Sequence, residues 1–163
     1  MREVAVEAGV ARSTLYRYFP SRDEVLVAVV MREMIAVNAV IMDRLAGYSE
    51  PADIIVEGLI LALGEIPRRP ILNAVFVSAE DSRARRIVWS SNLIVEFGEQ
   101  LLEHVIQPAL ELGLLQERVP PEALTEWVYR ILISLLTLPS NWSQSDDDLR
   151  TMLHGLLVPV LLR

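Results

Sequence analysis

The stretch Val4-Ala5-Val6-Glu7-Ala8-Gly9-Val10-Ala11-Arg12-Ser13-Thr14-Leu15-Tyr16-Arg17-Tyr18-Phe19-Pro20-Ser21-Arg22-Asp23-Glu24-Val25-Leu26 decides the architecture. Val4, Ala5 and Ala8 form a small apolar helical face, Gly9 tolerates a left-handed backbone, and from Val10 a second short helix carries Leu15 and Phe19. The pattern is helix, tight turn, helix. Its second helix collects Arg12, Ser13, Thr14, Tyr16, Arg17 and Tyr18 on the outer side, a dense set of donors suited to phosphate oxygens and base edges. Ser21 followed by Glu24 is a capping-box signature: the serine oxygen accepts a first-turn amide while Glu24 reaches back, opening a long helix that runs to about Ala46.

Outward from this segment, proline, glycine and polar clusters punctuate the chain at residues 47–51, 67–70, 119–121 and 139–145. Between them apolar residues recur at helical, not alternating, spacing, which predicts an all-α fold. Helices are expected over about Arg22 to Ala46, Pro51 to Ile66, Ile71 to Glu80, Ser82 to past Leu102 with a kink before Pro108, Pro121 to Leu138, and Asp146 to Leu162. The first long helix is apolar nearly all round, with charges at Arg32, Glu33, Asp43 and Arg44 beyond its first turn, so neighbours should cover it on several sides.

With 163 residues, 52% of them hydrophobic, the chain can bury a sizeable core, and intrinsic disorder is excluded. The net charge of −7 argues against binding nucleic acid through bulk charge, so any DNA contact must be local. Residues 1–24 are neutral, yet the second helix alone is basic. All 15 basic residues are arginine, which excludes every activity that needs a lysine, from phosphate-binding loops to Schiff bases. Cysteine is absent, removing disulfides, thiolate metal sites and thiol nucleophiles. The strongest apolar runs, Val25 to Met31 and Met152 to Leu162, fall short of the ~20 residues a bilayer requires, so no membrane segment is expected. No apolar stretch follows a basic start, as a secretory signal would require, and a cytoplasmic protein is expected.

The segment from Val4 to Leu26 resembles the signature of TetR-type bacterial transcription regulators, roughly I-A-x-x-A-G-V-S-x-G-T-L-Y-x-Y-F-x-S-K-E-x-L. Ala11 departs from it where serine is usual, Ser13 where glycine is common, and Arg22 where lysine is usual. The resemblance implies a partial helix-turn-helix DNA-binding domain over 1–24, a linking helix over about 22–46, and a helical ligand-binding and dimerisation domain over 47–163. It places the second helix in the major groove, with Arg12, Ser13, Thr14, Tyr16, Arg17 and Tyr18 as the contact set and Arg22 on the DNA backbone. Arginine at position 22 keeps the charge and can contact phosphate through two donors.

The same resemblance implies a homodimer built from the last two helices, which would present two recognition helices to an inverted-repeat operator. Trp127, Ile131, Leu135, Leu149, Leu153, Leu156 and Val160 supply apolar stripes for that interface, although core packing needs the same residue types. It also implies a small-molecule pocket whose occupancy moves the linking helix. Phe76, Trp89, Asn92 and Phe97 are candidate lining residues, followed by Met34, Trp127 and Tyr129; ordinary core is the competing role for each. Asn92 stands out as a polar residue within an apolar stretch, since a buried amide needs partners. The apolar surroundings suggest a hydrophobic or amphipathic effector. Repression is the usual sign of such regulators, and no residue here excludes activation.

Catalytic chemistry finds little support. His104 and His154 belong to no metal-protease motif, no nucleophile-elbow or dinucleotide fingerprint occurs, and Glu96, Glu99 and Glu103 lack the Glu-x-x-His partner of carboxylate-bridged metal bundles. Asp146-Asp147-Asp148 suits a helix start better than a calcium loop. Arg83, Arg85 and Arg86 could hold an anion and Arg68-Arg69 could lie near DNA, with a solvated surface as the simpler role. No catalytic residue, metal or cofactor is expected. Two functions remain: a ligand-responsive DNA-binding repressor, and a helical small-molecule-binding dimer that cannot bind DNA in this form.

By resemblance, family members carry a further helix ahead of the residue matching Met1, packed on the apolar side of the two DNA-binding helices. Starting without it, Val4, Leu15 and Phe19 are expected to lose a neighbour, at roughly 1.5–3 kcal/mol each if fully uncovered. The 163-residue chain is therefore expected to bind operator DNA poorly. Gel-shift titration beside an upstream-extended version tests this: the extended protein should bind tightly, and equal, tight, sequence-specific binding by both refutes the expectation.

Overall fold

In the computed structural model, residues 1–78, 82–91, 109, 111–115, 120–138, 140–142 and 145–163 are described. Two short helices, α1 (Arg2–Glu7) and α2 (Arg12–Tyr18), pack on each other and lead into α3 (Arg22–Leu45). Ser21 starts α3 as expected, its Oγ accepting the Glu24 amide at 3.1 Å. The reciprocal half of the capping box is altered: the Glu24 carboxylate accepts the Ser21 hydroxyl at 3.3 Å. Asp23 and Glu24 nonetheless lie in the first turn, where the helix dipole favours negative charge.

After α3 come α4 (Pro51–Glu65), a 3-10 turn over Ile66–Arg68, and α5 (Pro70–Leu72). The helix expected over Ile71 to Glu80 takes another form, for α5 passes at Asn73 into a widened π turn over Asn73–Val77. There the Ser78 amide reaches the Asn73 carbonyl five residues back at 2.8 Å. The side-chain amide of Asn73 donates to the Pro67 carbonyl at 3.0 Å, and Arg85 donates to the carbonyls of Val75 and Ser78, so side chains bind carbonyls at both ends of this segment. Helix α6 (Ser82–Ser90) follows, then α7 (Pro121–Thr137), which begins with proline in its first turn, where the missing amide costs nothing.

Helix α8 (Asp146–Leu156) opens with a complete capping box: Ser145 Oγ accepts the Asp148 amide at 3.1 Å while the Asp148 carboxylate accepts the Ser145 amide at 3.2 Å. The acidic run at 146–148 is thus a helix start. The single helix expected from Asp146 to Leu162 is broken at Leu157, and α9 (Val158–Leu161) is a separate turn. Pro159 is the cause, since it has no amide to bond the Gly155 carbonyl and its ring crowds that oxygen.

Among the described residues the regular structure is helical apart from one isolated antiparallel bridge between Leu115 and Leu162. Helix α3 packs against α4, α5 and α6, while α4 also packs against α7 and α8. Its inward positions Val27, Val30, Met34, Val37, Ile41 and Leu45 repeat at three- and four-residue steps. All but Val27 meet Val56, Leu59 and Ile60 of α4, Leu72 of α5, Phe76 of the π turn, Val88 of α6 and Leu132 of α7 in one core. Ion pairs close its margin: Glu65 lies 3.2 Å from Arg44 and accepts from Arg68 at 2.8 Å, and the Arg150 guanidinium grips Glu57 through two nitrogens, joining α8 to α4.

By length and composition alone α3 is long and apolar enough to cross a bilayer, a test that the core helix of a soluble protein also passes. The composite length arises because Arg32 and Glu33 separate two shorter apolar runs without breaking the helix. Glu33 is engaged by Arg69 at 3.4 Å, which ties the middle of α3 to the segment before α5.

Burial differences along this core give a direct test. Leu72 is fully enclosed, whereas Ile35 on α3 is 57% exposed. Leu72→Ala should cost about 2–5 kcal/mol in urea unfolding and Ile35→Ala within about 0.5 kcal/mol. Equal losses would place the core elsewhere.

Candidate nucleic-acid interface and ligand cavity

Helix α1 ends in a Schellman motif. Gly9 adopts φ +65°, its amide bonds the Val6 carbonyl at 3.1 Å, and the Val10 amide bonds the Ala5 carbonyl at 3.0 Å. An L side chain is strained in that conformation, so glycine sets the angle at which α2 leaves α1. Val10, expected to begin α2, instead lies in this turn, and α2 starts at Arg12 behind Ala11. Ala11 has extended backbone and no side-chain acceptor, so α2 starts without a cap.

Ala5 and Leu15 are buried and Phe19 partly so, which fixes the inner faces of the two helices. Of the three residues expected to lose a neighbour, Leu15 is buried within this chain, Phe19 is half-buried and Val4 is exposed. The short hydrophobic inner face leaves Arg12, Ser13, Tyr16, Arg17 and Tyr18 exposed and Thr14 half-buried. The Arg12 guanidinium lies 5.4 Å from the Tyr16 ring centre and that of Arg17 5.2 Å from the Tyr18 ring centre. These cation–π contacts hold two long side chains outward on one short helix. Arg22 stands exposed at the start of α3, adding a third cation beside the pair.

A separate cavity of about 70 Å³ lies against the middle of α3. Met34, Val37, Asn38 and Ile41 form one wall; Ala62, Ile66, Leu72, Phe76, Trp89, Tyr129, Leu132, Ile133 and Leu136 complete it. An adjoining cavity of about 80 Å³ shares Ile41, Ala62, Tyr129 and Leu132. Asn38 Oδ1 and the Tyr129 hydroxyl are buried, and among the described residues neither has a hydrogen-bond partner. Burial pushes the Tyr129 phenol well above its ordinary pKa, so it stays protonated as a donor.

Residues 1–29 match the family model described as Bacterial regulatory proteins, tetR family. Over 161 residues, 99% of this chain, it is 30% identical to uncharacterized HTH-type transcriptional regulators of Mycobacterium tuberculosis strains CDC 1551 / Oshkosh and ATCC 25618 / H37Rv, covering 74% of each. The chain belongs to the tetR family. It is an all-α, DNA-binding transcriptional regulator with an N-terminal helix-turn-helix.

In this tetR-family regulator, Phe76, Met34, Trp89 and Tyr129 come together around the cavity. Trp127 does not; it faces outward on α7 and is 45% exposed. Asn92 and Phe97 lie outside the described residues, as do Glu96, Glu99, Glu103 and His104. Asn38 escaped notice although the signal that singled out Asn92, an amide inside an apolar run, is equally present in Val37-Asn38-Ala39-Val40.

The expected dimer stripe divides. Trp127, Leu156 and Val160 are exposed and Ile131 and Leu135 are half-buried, but Leu149 and Leu153 are turned into the core of their own subunit. Leu156 is exposed although it shares α8 with buried Leu149 and Leu153, and Val160 follows the turn at Leu157. The arginine clusters also find internal work. Arg68 pairs with Glu65, Arg69 with Glu33, Arg83 lies 3.9 Å from Asp23, and Arg85 binds the π-turn carbonyls.

Because α2 starts uncapped, Ala11→Ser should stabilise the protein by about 0.5–2 kcal/mol through a hydroxyl bond to a first-turn amide. Thermal unfolding measures it; an unchanged or lower midpoint would show that another group already serves those amides.

Proposed function

We propose that this regulator is a repressor that binds an inverted-repeat operator as a homodimer and is released by a small hydrophobic or amphipathic effector. The observation that carries the proposal is the outer face of α2, where Arg12 and Arg17 are held outward against Tyr16 and Tyr18 with Ser13 and Thr14 between them. On a chain of net charge −7, this face and Arg22 concentrate cations where a major groove would receive a helix. Arg12, Ser13, Thr14, Tyr16, Arg17 and Tyr18 are assigned to base edges and phosphates, and Arg22 to the backbone alone.

Residues 1–24 with the first part of α3 form the DNA-binding unit, and residues 47–163 the ligand-binding and dimerisation unit. Trp127, Ile131, Leu135, Leu156 and Val160 form the dimer face, joined by exposed Leu138 and Trp142. Leu149 and Leu153 support that face from within. The cavity wall supplied by Met34, Phe76, Trp89 and Tyr129 takes the effector. The protein works in the cytoplasm, where its operator lies, and performs no catalysis.

A duplex selected from a random-sequence pool provides the operator. Arg17→Ala should weaken its binding about 5- to 150-fold and, where the contact is to phosphate, flatten the salt dependence by about one counterion. Unchanged affinity at two salt concentrations would remove Arg17 from the interface. Sedimentation at micromolar concentration should give a dimer, and a monomer alone would refute the two-fold arrangement.

A further inference from the structure

We propose that the cavity beside α3 takes an uncharged, single-ring molecule carrying a hydroxyl group, such as an alkylphenol, held by Tyr129 and Asn38. The inference rests on the cavity being the effector site.

Two buried polar atoms in an otherwise apolar wall carry it. The Tyr129 hydroxyl and Asn38 Oδ1 lack partners among the described residues, and each has been taken out of water without compensation. One is a donor and the other an acceptor. A hydroxyl group is both, so it can answer either atom, whereas a pure hydrocarbon answers neither. Among the described residues the wall contains no arginine, histidine or carboxylate to give a carboxylate or ammonium ligand its counter-charge. Protonated Tyr129 adds no charge of its own.

Size narrows the class further. The space lined by Asn38 and Tyr129 measures about 70 Å³ and the adjoining one, which shares Tyr129, about 80 Å³, so a ring of benzene's size, which an apolar cavity of roughly 150 Å³ holds, must draw on both. Phe76 and Trp89 present aromatic surface, and Met34 a thioether, to a ring placed between them.

Isothermal titration of the purified protein with 4-methylphenol, toluene and 4-methylbenzoate tests the proposal. The phenol should bind at least tenfold more tightly than toluene, and the benzoate should give no saturable heat. Tyr129→Phe and, independently, Asn38→Leu should each bring the phenol down to the affinity of toluene while leaving toluene unchanged. Ligand-free Tyr129→Phe protein should melt at the same temperature or about 2–4 °C higher, because an unanswered hydroxyl has been removed. Equal binding of phenol and toluene, preferred binding of the benzoate, absence of binding by all three, or variants that preserve the phenol preference would overturn it. A phenol that binds as described yet leaves DNA retention unchanged would uphold this ligand class and refute effector-driven release.

Discussion

The packing of α3 on three neighbouring elements is the constraint on which the rest of the structure depends. A helix of 24 residues with apolar positions on most sides is stable in water only if several partners share the task of covering it. Here α4, α5 and α6 do so, and the ion pairs of Glu33 with Arg69 and Glu65 with Arg44 hold its middle and its end in register. The helix-turn-helix precedes its first turn and the cavity touches its middle. Neither site has a frame independent of this helix.

Much of this frame was legible because it is written in local rules. Ser21 before Glu24, Pro51, Pro121 and Ser145 before Asp148 mark helix starts by satisfying, or not needing, the first amides, and the structure places α3, α4, α7 and α8 at those points. Gly9 marks the tight turn for an equally local reason. The errors come where a residue acts on the preceding turn. Pro159 breaks its helix at Leu157, two residues before its own position, and the Asn73–Val77 segment widens to a π turn that no periodicity at 3.6 residues announces.

The sites were legible to different depths. The outer face of α2 follows from its own seven residues, because burying Leu15 on one side dictates what the other side shows. The cavity is assembled from α3, α4, the π turn, α6 and α7, so apolar pattern identifies candidates without saying which turn inward together. Trp127 and Tyr129, two residues apart on α7, illustrate the difficulty: about 200° of helical rotation sends one to the surface and the other into the cavity. Along α8, apolar pattern alone likewise does not say which residues serve the chain's own core, and Leu149 and Leu153 are enclosed within it.

Any coupling between the cavity and the α2 face has to pass through the helix that positions both. Asn38 lies 17 residues from Ser21, about 25 Å along α3 at 1.5 Å per residue, so no ligand in the cavity can touch the α2 face. An effector acts at that distance only by binding one placement of α3 more tightly than another. The wall of the cavity has the means, since α3 contributes Asn38 while α7 contributes Tyr129, and a ligand answering both atoms favours one separation of the two helices. A difference of about 1–3 kcal/mol between placements would change operator affinity roughly 5- to 150-fold, a scale that one or two hydrogen bonds to buried atoms can supply. Arg83 on α6, 3.9 Å from Asp23 in the first turn of α3, links the helix that carries the cavity residue Trp89 to the DNA-facing end through an exposed and therefore weak ion pair.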